Sequence, residues 1–226
     1  MVVIGSSLLS IAAGFVSGKW AYLLYARSSH LVLKLLKIQV DVIHAENSYV
    51  QGPYVFVGLN QESPLETFLW PASIPFYCRY FLNIEFALIP FVGWSFWAMR
   101  NYIIVRSWKQ SGKRAVERAA TYLQGHGDRG FCIQLDGYMK SNDQLGPYKK
   151  GPIVLAIKAK AKLVPVAIHG AKDLLARGEF WVKRGRVQIR FLRALDLSGK
   201  SLGDADAILG ELKAMARGEF PSKIVV

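Results

Sequence analysis

Apolar runs of strand length recur along the chain and are separated by segments with helical periodicity. This alternation predicts an α/β sheet covered by helices on both faces. The predicted buried strands are 54–59, 131–135, 163–168 and 186–192, with a short strand at 102–105 and an edge strand at 38–45. The predicted helices are 113–123, 152–161 and 205–216. A chain of 226 residues is long enough for one substantial core and does not require a second.

The segment from residue 67 to residue 100 is rich in aromatic side chains. Pro71, Pro75 and Pro90 interrupt it, and because proline breaks helices, we expect short helical pieces there. So much aromatic surface belongs either to the core or to a face that enters a lipid interface, where Trp and Tyr are favoured.

Residues 1–40 are predicted to be helical and to attach the protein to a membrane, leaving 41–226 as the α/β domain. The run from Val2 to Val16 is broken by small residues and followed by Lys19, so it falls short of the roughly 20 apolar residues of a spanning helix. The stretch from Leu31 to Val40 is basic and amphipathic, which favours an interfacial position. A pair of core helices in a soluble protein is the alternative. No charged region precedes the first apolar run, so a cleaved signal peptide is not expected.

The composition of the chain indicates that the protein binds an anionic partner. Hydrophobic residues make up 52% of the chain, the mean hydropathy is +0.20, and Lys and Arg outnumber Asp and Glu by 29 to 16, a formal charge of +13. Such a chain favours an anionic lipid surface. Nucleic acid is not expected, because the basic residues are dispersed and no nucleic-acid-binding signature is found. Cys78 and Cys132 lie in apolar segments and are predicted to be buried thiols.

The segment from Asn60 to Glu66 connects the first fully apolar strand to an apolar helix. Ser63 as N-cap, Pro64 as the first helical residue and Glu66 as the third form a capping box. A helix N-terminus after a strand also presents free backbone N–H groups, which makes it a common position for a site. This segment alone favours the purely structural interpretation.

Four segments in chain order resemble the motifs of the lysophosphatidic acid (glycerolipid) acyltransferase family. The family motifs are Asn-His-x-Ser-x-x-Asp; Ile-Pro-x-x-Gly-Trp before a strand that ends in Arg; Phe-Pro-Glu-Gly-Thr-Arg before Pro-Phe-Lys-Lys-Gly; and Val-Pro-Val-Ala-Ile. In that order they align with residues 60–66, with 89–94 and 102–107, with 134–139 and 147–151, and with 164–168. The resemblance covers most of the chain and implies that family's fold, a single α/β domain with a mixed, mostly parallel sheet.

The departures from the family pattern fall on the chemistry. In the family, the first-motif His takes a proton from the acceptor hydroxyl, the Asp orients the imidazole, and the oxygen attacks an acyl thioester. Here Gln61 stands at the His position and Glu66 at the Asp position, and Asp136 replaces the third-motif Glu. The resemblance implies that these three are the catalytic positions, although an amide cannot accept a proton at neutral pH. Glu66 is a candidate replacement base, in competition with its capping role, and His169 and His44 are lesser candidates.

The resemblance also implies a set of substrate-binding positions. These are Asn60, Ser63, Arg106, Gly137, Lys140, Lys149 and Lys150. Arg106 ends a strand among aromatic residues and is expected to bind a phosphate. For the lysine pair, a solvated basic turn is the stronger interpretation.

The sequence therefore predicts a divergent acyltransferase at the cytoplasmic face of a membrane. It would move a fatty acyl group from acyl-CoA or acyl-carrier protein to a lysophospholipid-like acceptor, or to a small hydroxyl or amine acceptor. The thioester donor is a substrate, so neither a cofactor nor a metal is expected. The alternative is a catalytically silent protein of the same fold that binds lipid or acts as a partner subunit.

Overall fold

The computed structural model describes residues 2–44, 52–61, 63–105, 107–125, 130–135 and 144–225. The strands are β1 (Ile38–His44), β2 (Tyr54–Gly58), β3 (Cys78–Asn83), β4 (Tyr102–Ile104), β5 (Gly130–Gln134), β6 (Gln144–Leu145), β7 (Lys162–His169), β8 (Gly185–Phe191) and β9 (Ile224–Val225). The helices are α1 (Val2–Val16), α2 (Gly18–Leu35), α3 (Glu66–Ser73), α4 (Ile84–Ala87), α5 (Val92–Ala98), α6 (Lys109–Gln124), α7 (Gly151–Ala159), α8 (Ala171–Leu174) and α9 (Ala205–Glu219). A 3₁₀ turn spans Leu202–Asp204.

A seven-stranded sheet in the order β1-β8-β7-β2-β5-β3-β4 is the centre of the molecule. Among its described strand pairs, β7 and β8 are antiparallel and the others are parallel. The mixed, mostly parallel sheet predicted from the sequence is therefore confirmed. A second, small sheet pairs β6 with β9.

The sheet is covered on both faces, and its central strands are apolar throughout. All residues of β2 are buried, as is most of β7, because each face of these strands packs against helices. One core contains the inner faces of α2, α3 and α5, and the other contains those of α6, α7 and α9. The predicted edge strand is β1, which does lie at one edge of the sheet.

The aromatic segment departs from its prediction, because it contains a strand. β3 pairs with β5 on one side and β4 on the other, whereas only helical pieces were expected between residues 67 and 100. Its polar residues, Arg79 and Asn83, are spaced by about one helical turn instead of alternating with apolar ones, so the sequence pattern does not separate strand from helix there. Pro71 lies inside α3 rather than ending it, although α3 ends shortly afterwards at Ser73.

The two cysteines lie on neighbouring strands of this part of the sheet. Cys78 on β3 and Cys132 on β5 are both buried, and both are free thiols, as the sequence predicts. Burial raises the pKa of the Cys78 thiol well above its ordinary value.

The N-terminal helices pack against the domain. From α2, Tyr22 is fully buried and its hydroxyl donates a hydrogen bond to the Ile74 carbonyl oxygen at 3.2 Å. α1 packs on α2 and α5 and leaves apolar side chains exposed, among them Leu8, Leu9 and Phe15. The division predicted at residue 40 falls within β1, and α2 belongs to the same core as the sheet. Among the described helices, none combines the length and the apolar character needed to cross a bilayer.

Candidate active site

The predicted first and third motifs meet at the carboxyl ends of two neighbouring parallel strands. β2 and β5 run side by side, with Gly58 opposite Gln134. The chain leaves both strands at the same edge of the sheet, which is where α/β folds commonly bind ligands. α3 begins next to this edge, so its first turn faces the end of β5.

Asn60 joins the end of β2 to β7. It is 1% exposed, and its side-chain Nδ2 donates a hydrogen bond to the Ile168 carbonyl oxygen at 2.7 Å. Its Oδ1 accepts a hydrogen bond from the Ile168 N–H at 3.0 Å. The amide predicted to bind substrate thus fastens two strands of the sheet, and its role toward a substrate stays a prediction.

One half of the predicted capping box is present. The Ser63 N–H donates to Glu66 Oε1 at 3.2 Å, but Ser63 Oγ accepts at 3.1 Å from the Leu65 N–H instead of the Glu66 N–H. The Ser63 hydroxyl in turn donates to the Leu175 carbonyl oxygen at 2.7 Å. The structure also differs from the prediction in where the helix begins: it starts at Glu66 with Leu65 as the N-cap, and the residues before it form turns.

Gln134 holds the other oxygen of Glu66. Its Nε2 donates to Glu66 Oε2 at 2.9 Å, and Glu66 is only 4% exposed. A Cβ at position 58 would overlap the Gln134 amide, so glycine there gives this side chain its room. The sequence interpretation missed this pair of residues, although a polar residue at the end of a buried strand was a signal for it.

Gln61 differs from Asn60 and Glu66 in the hydrogen bonding of its side chain. It is partly exposed, and its amide has no hydrogen-bond partner among the described residues. An amide donates and accepts hydrogen bonds but does not take up a proton at neutral pH. Gln61 is therefore suited to orienting a substrate group and unsuited to general-base catalysis.

The second part of the third motif, residues 147–151, is hydrogen-bonded to the ends of β2 and β5. The Tyr148 hydroxyl donates to the Leu59 carbonyl oxygen at 2.7 Å, and the Lys149 N–H donates to the Leu135 carbonyl oxygen at 2.9 Å. Tyr148 was not among the predicted site residues, although it stands at the Phe position of the family motif. The Lys150 ammonium lies 2.7 Å from the Asp206 carboxylate in an exposed ion pair. Lys149 has an exposed side chain, so the pair fits the solvated basic turn favoured above.

His169 lies on the other face of the sheet from Glu66. Its Nε2 is 3.1 Å from Glu219 Oε2, and its ring packs on Phe220 with centroids 4.7 Å apart. Phe220 belongs to the core of α6, α7 and α9, whereas the residues next to Glu66 pack in the core of α2, α3 and α5. This arrangement assigns His169 to an ion-pair cluster with Arg190 rather than to the candidate active site.

Four predicted site residues cannot be placed: Arg106, Asp136, Gly137 and Lys140 lie outside the described residues. Their roles stay predictions. Of two clefts lined by described residues, one between α2 and β1 and one along β4, neither has Gln61 or Glu66 in its wall.

The comparisons with known proteins agree with this geometry. The sequence model described as "Acyltransferase" matches residues 39–169. The chain is 25% identical over 196 residues to a 1-acyl-sn-glycerol-3-phosphate acyltransferase of Saccharomyces cerevisiae, covering 85% of this chain and 63% of that protein. It is 24% identical over 179 residues to the 1-acyl-sn-glycerol-3-phosphate acyltransferase alpha of Ovis aries, covering 79% and 62%. The chain thus spans less than two thirds of the length of these relatives.

A solved structure shares the fold. The crystal structure of the 1-acyl-sn-glycerophosphate acyltransferase from Thermotoga maritima superposes with a TM-score of 0.71 at 19% identity, covering 89% of this chain and 80% of that one.

The region matched by the "Acyltransferase" sequence model begins in β1 and ends with β7, so it includes the strand ends and the connection that carry Asn60, Glu66 and Gln134. Because this match covers more than half of the chain, the protein belongs to the acyltransferase family.

Proposed function

We propose that the protein is a divergent acyltransferase that moves a fatty acyl group from an acyl thioester to a nucleophilic acceptor at a membrane surface. The observation that carries the proposal is the centre at the ends of β2 and β5. There a buried carboxylate, Glu66, is fixed from two elements, and Gln61, in the same connection from β2 to α3, has an amide with no partner among the described residues. Family membership supports acyl transfer as the reaction.

The bonds made and broken follow from the substrates. The acceptor oxygen or nitrogen attacks the thioester carbonyl carbon, the new C–O or C–N bond forms, and the C–S bond breaks to release CoA or carrier protein as a thiol. The Gln61 carbonyl oxygen can accept a hydrogen bond from the acceptor O–H or N–H and so fix the nucleophile for attack. This is orientation without proton removal.

An amine is the acceptor that suits this centre best. A hydroxyl needs a base during attack, and the loss of such a base costs about 10²- to 10⁴-fold in rate. Both oxygens of Glu66 already accept hydrogen bonds from Ser63 and Gln134, so this carboxylate is a poor substitute. A neutral amine attacks without prior deprotonation and passes its extra proton to water or to the departing thiolate.

The exposed apolar surface supports attachment to a membrane on its anionic, cytoplasmic side. Phe15 at the end of α1 is 88% exposed, and Trp97 on α5 is 68% exposed. α1 packs on α5, so these side chains lie on adjoining elements. Apolar and Trp side chains enter a bilayer interface, and the formal charge of +13 adds attraction to anionic lipid.

A catalytically silent lipid-binding protein is the second candidate. The observation in its favour is the same tight pairing of Glu66, since a carboxylate used to hold a helix start is not free for proton transfer. The two functions differ in whether any acyl group is transferred.

The deciding experiment supplies labelled acyl-CoA or acyl-carrier protein with amine and lysophospholipid acceptors in separate reactions. We expect acylated amine to form faster than acylated hydroxyl. Absence of both product and thioester hydrolysis, together with saturable binding of acyl chains, would establish the silent protein and end the enzymatic proposal.

A double variant tests the role of the missing imidazole. Gln61→His with Glu66→Asp restores the family pair, and we expect hydroxyl acylation to rise by about 10²- to 10⁴-fold. Gln61→Asn with Glu66→Asp is the matched control, because it keeps an amide at position 61 and adds no base. An equal rise in both variants would show that the imidazole is not what the hydroxyl reaction lacks.

A further inference from the structure

A cleft rich in arginine runs along the outer edge of the sheet, away from the Glu66 centre. β4 is the last strand in the sheet order, and the cleft beside it has a volume of about 670 Å³. Its wall includes residues from β3, β4, α5 and α6 and from the segments next to these elements. The residues that matter here are Arg79, Arg100, Arg114, Arg118, Trp97 and Trp108.

Among the described residues, the positive charges of this cleft have no acidic counterpart. The described part of its wall contains no Asp or Glu, and no carboxylate of the described chain forms an ion pair with any of its arginines. The acidic residue of α6, Glu117, pairs with Lys158 on α7 instead. Like charges gathered in one cleft repel one another, so the arrangement favours an anion that enters from outside.

Aromatic rings contact the guanidinium groups of three of these arginines, Arg79, Arg114 and Arg118. Arg79 lies 3.7 Å from the centre of the Tyr122 ring and donates a hydrogen bond to the Tyr77 hydroxyl at 3.1 Å. Arg118 lies 5.3 Å from the centre of the Tyr102 ring. Contacts with ring faces leave the charge of a guanidinium uncompensated, which suits it to bind phosphate through paired N–H groups.

The cleft adjoins the apolar surface formed by the end of α1 and by α5. A Cβ at Gly14 would lie 2.6 Å from the Ala98 side chain, and a Cβ at Gly18 would lie 3.0 Å from Cγ of Arg100. The end of α1, which carries the exposed Phe15, therefore packs on α5, which carries the exposed Trp97, and α2 begins against Arg100 of the cleft wall. Exposed apolar residues on elements next to Trp and Arg suit the boundary between the acyl chains and the headgroups of a phospholipid leaflet.

We propose that this cleft binds the phosphate of an anionic phospholipid headgroup while the adjoining apolar residues of α1 and α5 enter the interface. The proposal rests on the membrane attachment proposed above and adds to it a headgroup site distinct from the Glu66 centre. It does not require acyl transfer.

Flotation with vesicles tests the site. The protein is mixed with phosphatidylcholine vesicles, or with vesicles that also contain phosphatidylglycerol, and the bound fraction is measured. The cleft variant carries Arg100→Gln, Arg114→Gln and Arg118→Gln. The matched control carries Arg184→Gln, Arg193→Gln and Arg217→Gln, an equal loss of charge at exposed positions outside the cleft.

We expect wild type to bind anionic vesicles more tightly than neutral ones. The cleft variant should lose about 10-fold or more of this affinity difference, because each arginine near an anionic surface adds to the attraction. The control should lose less than about 3-fold. Equal losses in the two variants would show attraction by net charge alone, and no loss in the cleft variant would show that the arginines only protect the sheet edge. Either result overturns the headgroup site.

Two further measurements distinguish other causes. Binding to neutral vesicles reports the apolar attachment, and its absence in wild type would overturn the attachment on which the headgroup site rests, independently of acyl transfer. Circular dichroism establishes that both variants are folded. If free CoA displaced wild type from anionic vesicles and left the residual binding of the cleft variant unchanged, the cleft would hold the phosphates of the thioester donor, and the lipid assignment would be wrong.

Discussion

The polar groups at the ends of β2 and β5 and those of the arginine cleft along β4 are arranged in opposite ways. Asn60, Ser63 and Glu66 are buried, and each has hydrogen bonds to other parts of the protein. In the cleft, Arg114 and Arg118 are exposed and lie against aromatic rings, with no carboxylate partner in the described chain.

The difference separates two uses of polarity in one fold. At the strand ends Asn60, Ser63 and Glu66 use their polar atoms to fix neighbouring backbone and side chains, whereas Gln61 has no partner among the described residues. In the cleft the aromatic rings fix the positions of the charges without neutralising them. Whether a side chain is available for a ligand therefore depends on the hydrogen bonds that it already makes within the protein as well as on its position in a family motif.

The largest expected effect on stability comes from replacing Asn60, whose side-chain amide is hydrogen-bonded to Ile168. Asn60→Leu leaves the Ile168 N–H and carbonyl oxygen buried without partners, and we expect the free energy of unfolding to fall by about 2–6 kcal/mol. Gln61→Leu is the matched control and should change it by less than about 0.5 kcal/mol. Urea denaturation measures both, and equal losses would remove the distinction between the two amides.

A smaller effect on stability is expected when a side chain at position 58 fills the space that the Gln134 amide occupies. Gly58→Ala places a methyl group in the Gln134 amide, so the side chain must leave Glu66, at a cost of about 1–3 kcal/mol. In a protein that already carries Gln134→Ala, the further change Gly58→Ala should cost little, because the atoms that the new methyl group would overlap are gone. Thermal unfolding of the single and double variants measures the coupling, and simple additivity would contradict the contact.

The smallest effect on stability is expected in the cleft. Arg114→Gln with Arg118→Gln should change the free energy of unfolding by no more than about 0.5 kcal/mol, since lost ring contacts are offset by reduced repulsion. Wild type should gain more stability than this variant when salt is added, because salt screens the repulsion. Urea denaturation at low and high salt checks both statements, and a loss of several kcal/mol would mean that these arginines have structural partners.

The sequence predicts the fold where one pattern dominates a segment. β2, β5 and β7 are apolar runs between turns, and α6, α7 and α9 have clear helical periodicity, so all six were located to within a few residues. β3 was missed because its polar residues do not alternate with apolar ones, and its pairing with β5 and β4 is a long-range contact that a local pattern does not contain.

The candidate site was predicted through motif alignment, and alignment identifies positions rather than bonds. The bond from the Ser63 N–H to the Glu66 side chain was predictable because its spacing is local, although the other half of the predicted capping box is not formed. The bond from Gln134 to Glu66 was not, since it depends on the register of β2 against β5 and on the absence of a side chain at Gly58. The arginine cleft was equally hidden, because its residues are far apart in the chain and meet only at the sheet edge.

The burial of α2 limits how the protein can be shortened for laboratory work. Tyr22 and Tyr25 fill the core beside α3, so a truncation that starts at β1 would open a large apolar hole and promote aggregation. Preparations that need no detergent are better sought by polar replacement of outward-facing side chains on α1, such as Leu8 and Leu9, with the helix itself retained.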